Sequence, residues 1–390
     1  MKLGNIIKTS ILGAALVAAV GCHDAEYCAI ENIVYISEAS SPGVSNQQIE
    51  SVVVEGTTQI AIHVRIAQPV DYDINVRLGY APEFVEEYNE SYNASYEILP
   101  EEYLTFDGTA VIKAGSTSSD NVNINIKEFS TDNGEAYCVP LKIVESDAPF
   151  GVTEKSSRII YLLEAPHRQV VPTFTWQQAP GPVNDKWGIS TAEWTLEAWV
   201  WMSGYPINNQ AIFNASVSQG VEIYIRFGDA PIPYNQLQIK TGGSQLETNH
   251  LFATNTWYHL AFTFANNQLT IYINGEIDSQ KDISVANYVI EGLELCSSGS
   301  SYFRANCKMA QVRFWSKALS QAAILSAMNR QVPADSEGLF CYLKLDEGEG
   351  MFFHDATGKG HDLESKGSNM APSAPAWSTE MVNFSNPNNQ

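Results

Sequence analysis

Residues 273–282 read INGEIDSQKD, and within them Glu276 and Asp278 stand two positions apart, a spacing that sets two side chains on one face of a strand. Carboxylates held in that way could flank a sugar bond as nucleophile and acid. The residues before them argue for a plainer role. Leu269, Ile271 and Ile273 alternate along LTIYI, and Asn274-Gly275 is the preferred two-residue hairpin turn, so the pair begins a return strand. A second stretch, HDATGKGHD, gathers His354, Asp355, His361 and Asp362 in a glycine-rich loop. Asp355 is its candidate Ca²⁺ ligand, but Lys359 sets a cation among the supposed ligands, and a packed structural turn is the preferred reading. No cofactor is expected.

Sugar binding asks for aromatic faces against the apolar side of a pyranose, with amides or carboxylates for its hydroxyls. Loops offer such sets: Trp187 in VNDKWGIS, Tyr205 in WMSGYPINN, Asp229, Tyr234 and Asn235 in FGDAPIPYNQ, and Tyr302 in CSSGSSYFRANC. Each alone is readable as a packed surface aromatic or a turn residue; together they form the candidate ligand set. Trp201 joins them from a strand. Along TLEAWVWM, Leu196, Ala198, Val200 and Met202 point one way and Glu197, Trp199 and Trp201 the other. The first face belongs to an inter-sheet core, and the second to either an outer groove or a smaller core capped by loops. Trp201, at the strand end, is less committed. No G-x-S-x-G elbow, H-E-x-x-H pair or phosphate-cradling glycine loop is present.

The elements that must position these residues are almost all strands. TTQIAIHVRIA, DINVRLGY, GTAVIKAG, NVNINIKEF and SRIIYLLE alternate between Gly, Asp, Asn and Ser punctuation, predicting a sandwich over 33–165. Phe84, Val85 and Tyr88 take helical spacing within it, predicting a short helical crossover. APHRQVVP, with two prolines, reads as the start of a linker over 166–176, and a second all-β region with larger aromatics follows over 177–385. Its one expected helix is LSQAAILSAMN, with Ser320 as N-cap.

The 390 residues carry a formal charge of −22, with 44 acidic against 22 basic side chains. That balance leaves no basic patch for a phosphate backbone, so nucleic acid is not an expected partner. Residues 1–21 have Lys2 and Lys8 ahead of an apolar run from Ile11 to Val20, then small residues leading into Cys22, the organisation of an export signal. Residues 22–32 are left as a tether. Export makes a Cys296–Cys307 disulfide chemically possible across what reads as a loop between neighbouring strands, and spacing alone leaves it open. Cys138 and Cys341 sit in apolar strands and read as buried hydrophobes.

Three resemblances add to this reading. MKLGNIIKTSILGAALVAAVGC resembles the lipobox of bacterial lipoproteins, which implies lipidation at Cys22 and attachment to a membrane by lipid alone; the acidic HDAEY after it resembles the signal that sends Bacteroidota lipoproteins to the outer face of the outer membrane. VRLGYAPEFVEEYNESYNASYEILPEEYLTF, AVIKAGSTSSDNVNINI and YCVPLKIV resemble the immunoglobulin-like domain, of unknown function, that opens many surface lipoproteins of glycan-utilisation loci and precedes some endo-β-N-acetylglucosaminidases. WTLEAWV, NTWYHLAFTFANNQLTIYING, KMAQVRFWSKALS and LKLDEGEGMFFHDATGKGHDL resemble the laminin-G-like, concanavalin-A-like jelly roll. The implied fold class is all-β, an immunoglobulin-like sandwich followed by a jelly roll, and because the E-A-W triplet belongs to the jelly-roll family irrespective of ligand, the resemblance implies the capped core for Glu197 and Trp199.

Hydrolases of the jelly-roll fold carry Glu-x-Asp-x-Glu or Glu-x-Asp-x-x-Glu on one strand, and here Gln280 or Lys281 takes the third place. Neither can be the acid of a retaining pair. The expectation is a non-catalytic, outer-membrane-anchored protein at the cell surface. Its jelly roll captures complex oligosaccharide, with an outer-membrane importer or an endoglycosidase of the same locus as its partner. A structural or adhesive surface protein with a protein partner is the alternative, and an unrecognised glycosidase the second.

Overall fold

A computed structural model describes residues 31–39, 48–92, 94–131, 134–153, 156–184, 186–218, 221–367 and 371–388. Cys22, Cys28 and the export signal lie outside the described residues. Among those described, no helix is long and apolar enough to cross a membrane.

The first domain is the expected sandwich. One sheet runs in the order Ile49–Val53, Arg158–Glu164, Ala136–Ser146, Ile74–Tyr80, Thr109–Ile112, and a three-stranded sheet of Thr57–Ile62, Val122–Lys127 and Leu104–Thr105 lies across from it. Alternation decides which side chains meet between them: Ile74, Val76 and Leu78 from one sheet, Val122, Ile124 and Ile126 from the other. The helix Pro82–Tyr92 begins on proline, where the missing N–H is harmless, and lays Phe84 and Val85 on Cys138, Ile160 and Leu162. Ala136–Ser146 and Arg158–Glu164 are thereby covered on both faces, which is why YCVPLKIV and RIIYLLE read as apolar runs.

The second domain is a two-sheet jelly roll. Its larger sheet has the order Glu276–Asp282, Gln268–Ile273, Trp257–Ala265, Trp194–Met202, Cys307–Trp315, Pro172–Phe174, Ala376–Trp377. The other runs Ile189–Thr191, Tyr288–Leu295, Gln210–Val217, Ile223–Asp229, Ile232–Thr241, Ser244–Leu251. Leu196, Ala198, Val200 and Met202 meet Ile223, Ile225, Phe227, Leu237 and Ile239 in the core, as the alternation required. The outward face carries Glu197 and Trp199 into a second layer under the helix Gln321–Ala327. Ser320 caps that helix, its hydroxyl accepting from the Ala323 N–H at 3.2 Å.

Two boundaries differ from the sequence reading. Residues 166–176 are not a free linker: Arg168–Gln169 pairs with Val382–Asn383, and Pro172–Phe174 lies within the larger sheet between Cys307–Trp315 and Ala376–Trp377. Pro172 is tolerated because it opens its strand. The packed body also runs past 385, since the Asn388 side chain both accepts from the Trp257 N–H at 2.7 Å and donates to the Trp257 carbonyl at 3.0 Å. Arg168 ties the domains together, donating to Glu128 and Glu55 of the first domain at 2.6 Å each.

Candidate functional site

The acid pair at 276 and 278 is dispersed by its own strand. Asn274 and Gly275 form the predicted turn, both with positive φ (51° and 80°), and the pairing register then skips at Asp278 in a bulge. Glu276 accepts from the Gln321 side chain at 2.9 Å, whereas Asp278 accepts from the backbone N–H groups of Asn249 at 2.7 Å and His250 at 3.0 Å. The two carboxylates serve different neighbours. Gln280, at the third position, donates to Thr270 at 3.1 Å and Gln268 at 3.2 Å.

Asp355 is a structural residue. Its carboxylate accepts from the N–H groups of Tyr342 (3.0 Å), Thr357 (3.1 Å) and His361 (3.1 Å) and from the Thr357 hydroxyl (2.8 Å). Burial alone raises its pKa, but these bonds together with His361 outweigh burial and hold it down at about 2. No three His, Cys, Asp or Glu side chains are grouped to hold a metal among the described residues.

Cys138 and Cys341 are buried as predicted; Cys296 and Cys307 are buried too, and stand here as free thiols that face one another within hydrogen-bond reach. The loop between them departs from expectation in not joining neighbouring strands: Tyr288–Leu295 and Cys307–Trp315 belong to opposite sheets, and the loop crosses the edge of the sandwich.

The loop aromatics scatter. Trp187 packs on His361 with ring centroids 4.6 Å apart. Tyr205 lies against Phe227 at 4.9 Å and its hydroxyl reaches the Ala253 carbonyl at 3.4 Å. Asp229 is neutralised by Arg226, and the Asn235 amide donates to the Phe252 carbonyl at 3.1 Å. Only Tyr234 and Tyr302, 48% and 42% exposed, present open faces. Their polar companions are spent on the fold.

Trp201 has a different setting. The strand register aligns Thr173 with Lys308, Lys308 with Trp201 and Trp201 with Trp257, so these four form one row across the outer face of the larger sheet. The row floors a groove of about 590 Å³ whose walls include Asn255, Trp377 and the segment 378–382. Trp257 is buried and packs edge-on against Phe384 at 5.2 Å, while Trp201 is half-buried with the Lys308 ammonium 4.7 Å from its ring centroid. Asn255 stands at the rim with φ 56°, its N–H bound to the Met202 carbonyl at 2.8 Å. Trp201 is thus the partly accessible indole of the floor, with Trp257 packed beside it, and an indole flanked by an amide, a hydroxyl and an ammonium can stack a pyranose and bind its hydroxyls. Trp257, Trp377, Lys308, Thr173 and Asn255 were absent from the sequence-derived set; only the pairing of TLEAWVWM with NTWYHL, read in register, could have joined Trp201 to Trp257.

Beside the groove, on the same face of the sheet, lies the buried polar layer that Glu197 and Trp199 enter. The Trp199 indole donates to the Met328 carbonyl at 2.7 Å. Glu197 accepts from the Trp315 indole at 3.0 Å and lies 3.5 Å from Arg313 and 3.6 Å from His259. Burial raises the Glu197 pKa against the pull of Arg313 and Trp315. This layer is closed to solvent and anchors the helix, so it is architecture for the groove and no site in itself.

Fold and groove together define a two-domain β protein whose second domain is a concanavalin-A-like jelly roll. Residues 177–325 match the concanavalin A-like lectin/glucanases superfamily, and residues 30–149 match a family of N-terminal domains. A solved structure of a candidate carbohydrate-binding protein from Bacteroides ovatus is 22% identical and covers 87% of this chain and 99% of its own, with a TM-score of 0.60. The same two-domain fold is therefore shared along nearly the whole of that protein. A two-domain protein of unknown function from Bacteroides fragilis (11% identity, 74% of this chain, 90% of its own) reaches a TM-score of 0.30. EndoBT-3987 of a further Bacteroides species, solved with a Man5GlcNAc product, gives 0.29 at 16% identity over 34% of this chain and 30% of its own. Likeness at those two scores is too slight to bear on function. No curated protein matches the chain.

Proposed function

We propose that the protein is a non-catalytic glycan-binding lipoprotein, carried on the outer face of the outer membrane by lipid at Cys22, that captures complex oligosaccharides for uptake or degradation through the Trp201–Trp257 groove. The observation that carries the reading is the row of Trp201 and Trp257 beside unspent polar groups on a concanavalin-A-like domain. The candidate carbohydrate-binding description of the Bacteroides ovatus relative supports it. The scattered acids at 276 and 278 support binding without catalysis, and the groove needs no cofactor to make its contacts. An importer or an endoglycosidase would receive the captured glycan.

The test is a glycan array followed by titration calorimetry on the oligosaccharides retained. Loss of a stacking indole at the centre of a contact costs about 2 kcal/mol, so Trp201→Ala should weaken binding roughly 30-fold. Thermal unfolding of the variant, compared with the parent, separates lost contact from lost fold. Unchanged affinity in a folded Trp201→Ala protein would remove the groove from the mechanism. For the anchor, Cys22→Ala should move the protein from the membrane fraction to the soluble one; persistent membrane partition would sink the lipid assignment.

A further inference from the structure

Lys308 is the one cation among the described residues that line the groove, in a chain of 44 acidic against 22 basic side chains. Elsewhere some cations are drawn into pairs, such as Lys113 with Asp73 and Arg168 with Glu55 and Glu128, and others, such as Lys317 over the Trp315 ring, are not. Lys308 forms no ion pair and no side-chain hydrogen bond among the described residues; its ammonium has only the ring of Trp201, at 4.7 Å. Thr173, its register neighbour, and Asn255 at the rim likewise have no side-chain partner among the described residues. Among the described residues the one carboxylate that lines the groove is Glu380, which is exposed on the wall and is not paired with Lys308.

Resting on the reading of the groove as a glycan site, we propose that its ligand is an acidic sugar carrying a single carboxylate, a uronic or sialic acid residue, with Lys308 as the group that recognises the charge. A cation over an indole in a half-exposed setting is held weakly, whereas an ammonium donating to a carboxylate makes a charge-assisted hydrogen bond. An arriving carboxylate therefore draws Nζ off the Trp201 ring, and that same movement uncovers indole surface for the sugar ring. The two events are coupled by geometry: the ligand's charge opens the platform on which its ring stacks. Thr173, one register step away, adds a hydroxyl that can donate to the second carboxylate oxygen. The net charge of −22 limits the class further. A polyanion such as a sulfated polysaccharide is opposed by the overall charge and finds one cation in the described groove lining, while a single carboxylate needs only that cation.

The experiment compares oligosaccharides ending in glucuronic acid or sialic acid with their methyl esters, which keep the ring and hydroxyls and lose the charge. Calorimetry on the purified protein should show the acids bound about tenfold more tightly than the esters. The ratio should fall to about one in Lys308→Gln and survive in Lys308→Arg. Equal binding of acid and ester by the parent protein, or a preference that persists in Lys308→Gln, overturns the proposal; if that binding is still lost in Trp201→Ala, the groove reading stands without it. Binding of none of these probes, with silence across the glycan array, overturns both.

Discussion

Arg313→Ala should cost the second domain about 3–5 kcal/mol, the penalty for stranding the partner of a buried ion pair. Arg313 and Glu197 are essentially inaccessible to water and 3.5 Å apart. The guanidinium also donates to the carbonyls of Ala327 at 3.1 Å and Arg330 at 2.5 Å, the C-terminal end of the helix Gln321–Ala327, and to the Gln311 side chain at 3.1 Å. Removing it takes the counter-charge from Glu197, which keeps only the Trp315 indole as donor, and takes the guanidinium from the Arg330 carbonyl, in a dry layer. A loss of this size lowers the melting temperature by roughly 10 °C in a domain of some 200 residues. Pairing Arg313→Met with Glu197→Met should recover part of the loss, because the ion pair is then removed whole, but the Arg330 carbonyl still loses its guanidinium donor. A double-mutant cycle followed by urea unfolding should return a coupling of about 2 kcal/mol. Additive single effects would mean that the two side chains share a layer without supporting each other.

Local signals in the chain were strong wherever the physics was local. The Asn274-Gly275 turn, the Ser320 cap and the Pro82 helix start each depend on a few adjacent residues, and each stands where those residues place it. Alternation likewise assigned Leu196, Ala198, Val200 and Met202 to the core and set Glu197 and Trp199 on the opposite face, where the jelly-roll resemblance implied the capped layer they enter. Signals failed where sheet order decides. Lys308, Trp201 and Trp257 lie 107 and 56 residues from one another along the chain, and only the order of three strands and their register makes them a row. The segment after Pro166 misled for a related reason: three residues, Pro172–Phe174, are too short to show alternation, yet they complete a sheet with strands from far along the chain. At Asp278 a single bulge undid a spacing argument that assumed an unbroken pleat.

The fold also bears on what the groove can tolerate. Its floor belongs to the sheet that shares its outer face with the Glu197 layer: Trp199 is anchored to Met328 two residues before Trp201 reaches the ligand side. The C-terminal segment closes the other wall through Asn388 and Phe384. A platform fixed from both sides suits a site in which little ordering remains to oppose binding.

That same buried layer should make the second domain acid-sensitive well above the range of ordinary carboxylates. His259 is essentially inaccessible, its Nδ1 has no partner, and burial followed by the nearby Arg313 charge pushes its pKa down to about 3, despite Glu197 at 3.6 Å. The unfolded chain takes up this proton near pH 6.5 and the folded chain does not, so the contribution is intact above ~6.5 and is lost progressively as pH falls toward the folded value. The loss approaches about 1.4 kcal/mol per pH unit inside that window, or roughly 2–3 kcal/mol between pH 6 and pH 4. Glu197 works in the opposite sense: burial raises its pKa above the ordinary carboxylate value, so the folded state gains a proton before the unfolded one, which returns stability as pH falls through the raised value. Urea unfolding measured from pH 7 to pH 4 on the parent and on His259→Leu isolates the histidine, since Asp355, His63 and the surface acids contribute to both and cancel in the difference. The parent should lose stability more steeply between pH 6.5 and pH 5, and identical slopes would show that His259 takes up its proton as readily in the folded layer as in water.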